Sequence, residues 1–331
     1  MSDMYLRRCS IVLGSGGNAL ELSQLRCRFN ITMAVNGKRN ELYLRVTNLN
    51  PSTAAPFLQS PHQPITVSAG YQSGQYGQIF SGDTTWVVSG RENPTDTMLT
   101  VVAHDGGAGH VKAAVNKQFP AGSTPQDRFN AALQAMSPFN ISKGYVGPDL
   151  SSPKYPRSDT YLGMAWQLLE RVAQSKQAVW NIQQGKIQML KQSGDNVPGS
   201  PVVLNTNTGL IGMPSQEIDQ VLARCLINPS IVVGSQVQIA QGLVQPLVIV
   251  DNGAQVTGTS IIPPGVQAIA ADGIYTVFAI DVEGDTRGMP WYYDLHLMNP
   301  NNASGTVQGQ TFGGSQGASV QFSDQFPPAQ N

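Results

Sequence analysis

Short stretches in which polar and apolar residues alternate recur through the first third of the chain and again through its last part. Residues 26–35 place their large apolar side chains at the odd positions. A period of two is typical of a strand with one buried face, because successive side chains point to opposite faces. The same signal predicts strands over 41–46, 65–69, 77–82, 84–88, 97–102, 218–227, 236–240, 247–250, 274–282 and 291–298. Short strands at this spacing predict a β-barrel or sandwich.

The middle of the chain has a different pattern. Thr124 and Pro125 are typical of a helix cap and first turn, which predicts a helix over 124–133. Apolar residues at helical spacing predict a second helix over 158–175. A hairpin is predicted from 178–182 and 186–190. Residues 301–331 are rich in Gly, Gln, Ser and Asn, which is typical of a flexible tail.

This organisation predicts a mainly β protein with a smaller α+β domain. We expect a first β domain over 1–112, an inserted α+β domain over 113–208, a second β domain over 209–300 and the tail over 301–331.

The composition limits the function classes. Charged residues make up 12% of the 331 residues, about half the usual share. Such a surface suits a protein that other chains cover, because free enzyme surfaces usually carry more Lys and Glu. The net charge of −1 gives no strong attraction to nucleic acid or membranes. Residues 201–331 are acidic, with Arg224 and Arg287 as their two basic side chains, which argues against a nucleic-acid grip there.

The cysteines and the apolar runs indicate the cellular compartment in which the chain folds. The three cysteines are widely separated, which predicts free thiols in a reducing cytoplasm. The N-terminus lacks the apolar stretch of a signal peptide, and the longest apolar run, near 247–250, is too short to cross a bilayer. We therefore expect assembly in the cytoplasm and no membrane insertion.

An early glycine-rich loop has the spacing of a dinucleotide-binding motif. Gly14, Gly16 and Ala19 match G-x-G-x-x-A after an apolar run. That motif needs a following helix whose N-terminus meets the phosphates. Here the alternation of 26–35 follows and leaves no room for a crossover helix. The loop is therefore predicted to be a turn between strands.

Few residues offer catalytic or metal chemistry. The segment 104–110 contains two histidines and Asp105, but its glycines favour an ordinary polar loop, and we expect no metal and no cofactor. Glu92, Asp96 and Asp105 could furnish paired carboxylates for glycoside cleavage. In the simpler interpretation, Asp96 bonds backbone amides in a turn over 93–96. We expect no enzyme, with a cell-wall hydrolase that uses Glu92 and Asp96 as the alternative and a glycan-binding adhesin as a weaker one.

A second polar cluster spans residues 284–292. We expect a hairpin loop between two strands, with Trp291 in the core. Arg287 is predicted to pair with Asp285 or with a neighbouring chain. The other tryptophans, Trp86, Trp166 and Trp180, are also expected to be core residues rather than ligand-stacking residues.

Several phrases, in this order, resemble a known family. They are LSQLRCRF (22–29), LRVTNLN (44–50), GY (70–71), IFSG (79–82), GRENPTDT (90–97), TGLIGMP (208–214), LINP (226–229), GIYTV (273–277) and GDTRG (284–288). Together they are similar to the central baseplate hub proteins of contractile-tailed bacteriophages, which are related to the hub part of type VI secretion spikes. The resemblance covers roughly residues 10–298.

The resemblance implies an architecture and a set of partners. Hub proteins of this kind carry two tube-like β-barrel domains, and three chains form a pseudo-sixfold ring that adapts the sixfold tail tube to the threefold central spike. It implies a homotrimer in the virion tail baseplate. Its partners would be the tail tube protein, the central spike protein, the tape-measure protein and other baseplate subunits. DNA would pass through the channel without specific binding. We expect Arg91, Asp96, Asp285 and Arg287 to contact other chains.

Overall fold

Strands dominate the first part of the chain in a computed structural model that describes residues 6–15, 19–35, 39–60, 62–192, 194–217, 220–245, 248–251, 254–257, 270 and 272–299. The strands are β1 (Arg7–Leu13), β2 (Leu20–Glu21), β3 (Arg26–Ala34), β4 (Glu41–Thr47), β5 (Pro64–Tyr71), β6 (Tyr76–Arg91) and β7 (Thr97–His104). Helix α1 (Pro51–Gln59) precedes β5, and the short helix α2 (Gly107–Lys112) follows β7. The strands predicted in this region are confirmed.

The glycine-rich loop connects two antiparallel strands. Val12 of β1 pairs with Glu21 of β2, and no helix follows Ala19 before β3. The strands on either side of the loop therefore pair as the predicted turn requires. Gly16 lies outside the described residues.

The middle region mixes helices with short strands. Its elements are β8 (Ala114–Phe119), α3 (Pro125–Met136), β9 (Ser142–Val146), β10 (Asp159–Met164), α4 (Ala165–Ser175), β11 (Ala178–Gln183) and β12 (Lys186–Lys191). Thr124 and Asp127 form a reciprocal capping box at the start of α3. The helix at 124–133 and the hairpin of β11 and β12 are confirmed.

The second predicted helix is half wrong. Residues 159–164 form strand β10, which pairs with β8, and only 165–175 are helical. Leu162 fits the helical spacing of this stretch, but it is 78% exposed on β10. The pairing with β8 overrides a local pattern that also fits a helix.

The last region is again mostly strands. They are β13 (Val202–Leu204), β14 (Leu210–Gln216), β15 (Val221–Leu226), β16 (Gln236–Ile239), β17 (Val248–Asp251), β18 (Ala254–Thr257), β19 (Ile274–Asp285) and β20 (Trp291–Met298). The strands predicted over 218–227, 236–240, 247–250, 274–282 and 291–298 are confirmed for the described residues, which leave out 218, 219 and 247. The predicted tail, 301–331, lies outside the described residues.

Strands from both β regions join in one curled thirteen-stranded sheet. Its order is β14-β15-β20-β19-β3-β4-β7-β6-β5-β1-β2, with β16 on β19 and β13 on β16. The junction is the antiparallel pair β3 and β19, where Phe29 lies opposite Gly284. One hydrophobic core runs beneath this sheet, and a second core lies within the middle region.

The sheet contains the same four-strand arrangement twice. We call β3, β4, β7 and β6 the first sheet unit, and β14, β15, β20 and β19 the second sheet unit. Neighbours in each unit are antiparallel and follow in that order. β5 lies on β6 as β16 lies on β19, again antiparallel.

The match between the units extends to residue positions. A bulge interrupts β6 and β7 after Thr84, and another interrupts β19 and β20 after Val277. Six residue pairs follow each bulge and lead to a hairpin tip. Aligned on the bulges, Trp86 corresponds to Ala279 and Arg91 to Gly284.

Candidate assembly interface

The tip between β6 and β7 is built around Asn93. Its side-chain oxygen accepts hydrogen bonds from the amides of Thr95 and Asp96 at 2.9 and 2.7 Å. The predicted turn over 93–96 is confirmed, and the amide of Glu92 donates to the main-chain carbonyl of Asp96 at 2.9 Å. The side chain that caps the turn amides is that of Asn93 and not that of Asp96. Asp96 instead accepts from the side-chain amides of Asn48 at 2.8 Å and Asn93 at 2.7 Å. These two bonds lower the pKa of the Asp96 carboxyl, so it is ionised at neutral pH.

Glu92 and Asp96 have separate structural contacts. Glu92 forms an ion pair with Arg28 of β3. A glycoside hydrolase needs a carboxyl with a raised pKa close to a second carboxylate. The pKa of Asp96 is lowered and Glu92 is held by a guanidinium, while Asp105, whose pKa is raised, lies beyond the opposite end of β7. This geometry gives the hydrolase alternative no support. Arg91 lies beside the pair, where its guanidinium is 3.4 Å from the carbonyl of Pro94.

The tip between β19 and β20 is held against the first sheet unit. Asp285 is buried and accepts from Arg26 at 2.8 Å and from the amide of Arg287 at 2.9 Å. Burial opposes ionisation of Asp285, but the Arg26 hydrogen bond and its charge outweigh it and lower the pKa. The guanidinium of Arg7 donates to the carbonyls of Gly288 and Met289 at 2.7 and 2.9 Å.

The predicted partner of Arg287 differs from the one observed. Its guanidinium donates to the carbonyl of Gln24 at 3.2 Å, while Arg26 occupies the Asp285 carboxylate. The predicted ion pair between the side chains of Arg287 and Asp285 is therefore wrong. A contact of Arg287 with a neighbouring chain stays a prediction. Trp291 is buried against Phe29, with ring centroids 5.7 Å apart, as predicted.

Two arginines of β3 each form an ion pair with one of the two hairpin tips. Arg28 pairs with Glu92 at one tip, and Arg26 pairs with Asp285 at the other. The hydrogen bond to Asp285 is the largest cause of the raised pKa of Arg26, and the charges of Glu92 and Asp96 add to it. The two tips therefore lie at the same end of the sheet and each contacts β3. Both carry residues that the sequence analysis predicts to contact other chains.

The face of the sheet opposite the core is polar. In the second sheet unit, Arg224 binds Asp294 at 2.6 and 2.8 Å, and His296 lies 3.1 Å from Asp281. The hydrogen bond to Asp281 raises the pKa of His296. Burial opposes the ionisation of Asp281, but the bonds from His296 and Thr32 lower its pKa overall.

The segment 104–110 is more ordered than the predicted loop. Residues 107–112 form α2, and the ring of His110 stacks on Trp166 with centroids 4.8 Å apart. Desolvation is the main cause that lowers the pKa of His110 to about 4. His104 contacts the hydroxyl of Thr85 at 2.9 Å. Within the described part of the chain, no group of three His, Cys, Asp or Glu side chains could hold a metal ion.

Asp105, which the sequence offered as a possible metal or hydrolase carboxylate, instead joins the first β region to the middle region. Its side chain is buried and accepts from the amides of Gln184 and Gly185, in the turn between β11 and β12. Asn40 donates from its side chain to the carbonyl of Ile182 at 2.9 Å. Burial raises the pKa of Asp105 to about 7, against the lowering effect of these bonds.

Of the tryptophans predicted as core residues, Trp180 is buried and Trp86 is not. Trp180 is buried in the core of the middle region, as predicted, and donates to Glu170 at 2.7 Å. Trp166 packs at the edge of that core. Trp86 is 62% exposed, so its prediction as a core residue is wrong. It follows the β6 bulge, and it occupies a part of the strand that β5 does not cover.

Solved structures that share this fold are phage tail proteins and a secretion-system protein. The 43 kDa tail protein of prophage MuSo2 from Shewanella oneidensis has 12% identity and a TM-score of 0.56, over 89% of this chain and 98% of that one. A tail protein from Neisseria meningitidis has 11% identity and a TM-score of 0.54, over 89% and 97%.

The third relative comes from Escherichia coli, with 8% identity and a TM-score of 0.51 over 89% of this chain and 76% of that one. It is described as a type VI secretion component with structural similarity to T4 bacteriophage tail proteins. No protein-family model and no curated protein matches the sequence. The shared fold agrees with the resemblance to baseplate hub proteins found in the sequence. No helix among the described residues is long and apolar enough to cross a membrane.

Proposed function

We propose that this chain is a structural protein of a virion tail, a trimeric baseplate hub that adapts a sixfold tail tube to a threefold central spike. The observation that carries this proposal is the repeated four-strand unit. Three chains with two equivalent units each supply six similar units around a threefold axis. That is the arrangement needed where six subunits of a tube meet three subunits of a spike.

The proposal assigns the parts of the chain. Residues 1–112 and 209–300 are the two tube-like domains, and residues 113–208 are the inserted domain. The expected partners are the tail tube protein, the central spike protein, the tape-measure protein and other baseplate subunits. The fold shared with tail proteins and with a type VI secretion component supports this class of partners.

The proposal also assigns the polar sheet face to the channel through which DNA passes. Asp281, Glu283 and Asp294 of the second sheet unit lie on this face, and one arginine, Arg224, accompanies them. Carboxylates repel phosphates, so DNA would pass this surface without adhering. Replacement of the three acids by lysine should slow DNA ejection while the tails still assemble. Unchanged ejection kinetics would contradict the channel assignment.

Electron microscopy of negatively stained particles tests the hub itself. The purified chain would be imaged alone and together with its spike protein. A threefold ring with six peripheral lobes and an open centre is the expected result. Compact monomers under both conditions would overturn the proposal.

A further inference from the structure

The last residues of β6 have an open edge. β5 covers β6 as far as Asp83, and Thr84 bonds the chain at His62 and Gln63. From Trp86 to Arg91, the described strand pairings join β6 to β7 alone. A shallow groove of about 240 Å³ runs beside this edge, between β6 and the end of α1, and is lined by Phe57, Leu58 and Trp86 among others. An open strand edge presents unpaired amides and carbonyls that another strand can bind.

The equivalent edge in the second sheet unit is filled. Ala279 to Asp285 of β19 correspond to Trp86 to Glu92, and they pair with β3. β3 is the end strand of the first sheet unit, and its counterpart in the second sheet unit is β14. The chain therefore already contains one copy of a junction between units, β3 on β19. The elements of a second such junction, β14 and β6, stand at separate places in the sheet order.

We propose that the edge of β6 from Trp86 to Arg91 binds strand β14 of a second copy of this chain, antiparallel and in the register that β3 has on β19. Within the chain, Asn30 lies opposite Glu283 and Ile31 opposite Val282. The same register places Ser215 of the second copy opposite Gly90, and Gln216 opposite Ser89. This inference rests on the proposed function, because it specifies how the hub chains join.

The direction of the backbone groups supports this register. The amide and carbonyl of Thr84 point toward Gln63 and His62, as those of Val277 point toward Ser235 and Gly234. Because the two units match after their bulges, Ser89 takes the direction that Val282 takes toward β3. On the β14 side, the amide of Gln216 also points away from its neighbour β15, since it donates to the carbonyl of Gln245 at 2.8 Å.

Both edges carry exposed apolar side chains. Trp86 and Val88 are exposed on β6, and Ile211 and Met213 are exposed on β14. In the free chain, one backbone bridge covers part of β14: Gln245 accepts from Gln216 and donates to Pro214, at 2.8 Å each. Pairing between copies exchanges these two hydrogen bonds for bonds to β6 and removes apolar surface from water. The bridge protects the edge of the unassembled chain, as soluble β proteins commonly do.

A cross-linking experiment tests the register. The pair Gly90→Cys and Ser215→Cys should form disulfides between chains, because facing residues of adjacent antiparallel strands lie within disulfide distance. The pair Asn30→Cys and Glu283→Cys is the matched control, which should close within one chain at the observed junction. The pair Val88→Cys and Ser215→Cys shifts the register by two residues and should cross-link far less. The native Cys9, Cys27 and Cys225 should stay unreactive, since burial raises the pKa of each thiol to about 12.

The outcomes separate this inference from the proposed function. Covalent multimers on non-reducing gels from the Gly90 and Ser215 pair, with few from the shifted pair, support the pairing. Equal cross-linking by both pairs, or none while the internal control closes, overturns it. If light scattering nevertheless shows trimers, the hub proposal stands and the chains join elsewhere. If cross-linked rings fail to bind tube and spike proteins, the pairing stands and the adaptor function fails.

A pair of lysine variants provides an independent measure. Trp86→Lys should weaken self-association by about tenfold or more, because a charge on an open edge blocks strand pairing and the tryptophan contact is lost. Leu162→Lys is the matched control, since Leu162 is also exposed on a strand but lies in the middle region. Sedimentation over a concentration series measures both. Equal self-association of the two variants would contradict the proposal.

Discussion

The two sheet units share strand order, register and bulge position, but their end strands have different neighbours. In the second sheet unit, β3 covers the edge of β19, and Arg7 and Arg26 hold the hairpin tip. In the first sheet unit, the same edge of β6 is open, and residues of that unit or next to it hold the tip.

Side chains at equivalent positions of the covered and the open edge differ in size. Ala279 and Gly284 stand on the covered edge, where Trp86 and Arg91 stand on the open one. At Gly284 a small residue is required, because a Cβ atom there would enter the space of the Phe29 ring on the paired strand β3. The comparison teaches that a neighbouring strand can restrict a position that is free to vary where the edge is open.

Replacement of Gly284 should have the largest effect on stability. A Cβ atom at this position would lie 2.2 Å from the ring of Phe29. Gly284→Val should therefore lower the free energy of unfolding by about 3 kcal/mol, measured by urea denaturation. Arg91→Val, at the equivalent exposed position, should change it by less than about 0.5 kcal/mol. Equal losses would show that the two edges do not differ as described.

Loss of the ion pairs at the two hairpin tips should have the next largest effect on stability. Asp285→Ala should cost about 2 kcal/mol, because it removes a buried acceptor of a charged donor and of the Arg287 amide. Glu92→Ala should cost about 1 kcal/mol, since its carboxylate is more exposed than that of Asp285. Thermal denaturation of both variants checks the order. A larger loss for Glu92→Ala would reverse the ranking.

Asp105 should make the two units differ in their response to pH. The equivalent position in the second sheet unit is Asn299, which does not titrate. The pKa of Asp105 is raised to about 7, so between about pH 4 and 7 the unfolded chain has lost a proton that the folded chain keeps. The Asp105 contribution to stability is therefore greatest at low pH and falls as the pH rises through this window.

Asp105→Asn should remove that pH dependence. The variant should also lower the free energy of unfolding by about 1–2 kcal/mol. The amides of Gln184 and Gly185 bind different oxygens of Asp105, and an asparagine side chain has only one oxygen. Urea denaturation at several pH values measures both effects. If the free energy of unfolding of the variant changed with pH between 4 and 7 as it does in the unchanged protein, the pH dependence would come from other groups.

The His296 and Asp281 pair should give the smallest effect. The pKa of His296 is raised, so its stabilisation is present at low pH and is lost as the pH rises through that pKa. The pKa of Asp281 is lowered, so its stabilisation is lost as the pH falls. The pair therefore contributes most in mildly acidic solution. His296→Gln should cost less than about 1 kcal/mol there and almost nothing at alkaline pH. A uniform loss at all pH values would indicate a packing effect instead.

Local sequence signals predicted many of the elements. Thr124 with Pro125 located the start of α3, because a cap and a first-turn proline satisfy or remove donors that the helix leaves free. Alternation located β3 and β20, whose odd and even positions face the core and the solvent in turn. These signals depend on residues within a few positions of each other, so they can be recognised without the rest of the chain.

The errors occurred where distant residues decide the structure. Leu162 fits a helical stripe, but pairing with β8 makes it part of a strand. Asp105 sits in a glycine-rich segment typical of a loop, but the turn at Gln184 and Gly185 buries it. The partner of Asp285 proved to be Arg26, more than 250 residues away, rather than the nearby Arg287.

By itself, the sequence determined a mainly β chain with a helical middle region, because alternation, caps and turn residues act locally. Only the tertiary structure decided that the two β regions share one sheet through β3 and β19, and that an equivalent edge of β6 stays open. Strand pairing depends on hydrogen bonds and packing between segments far apart in the chain. A strand's own residues predict that it pairs, but they do not identify its partner.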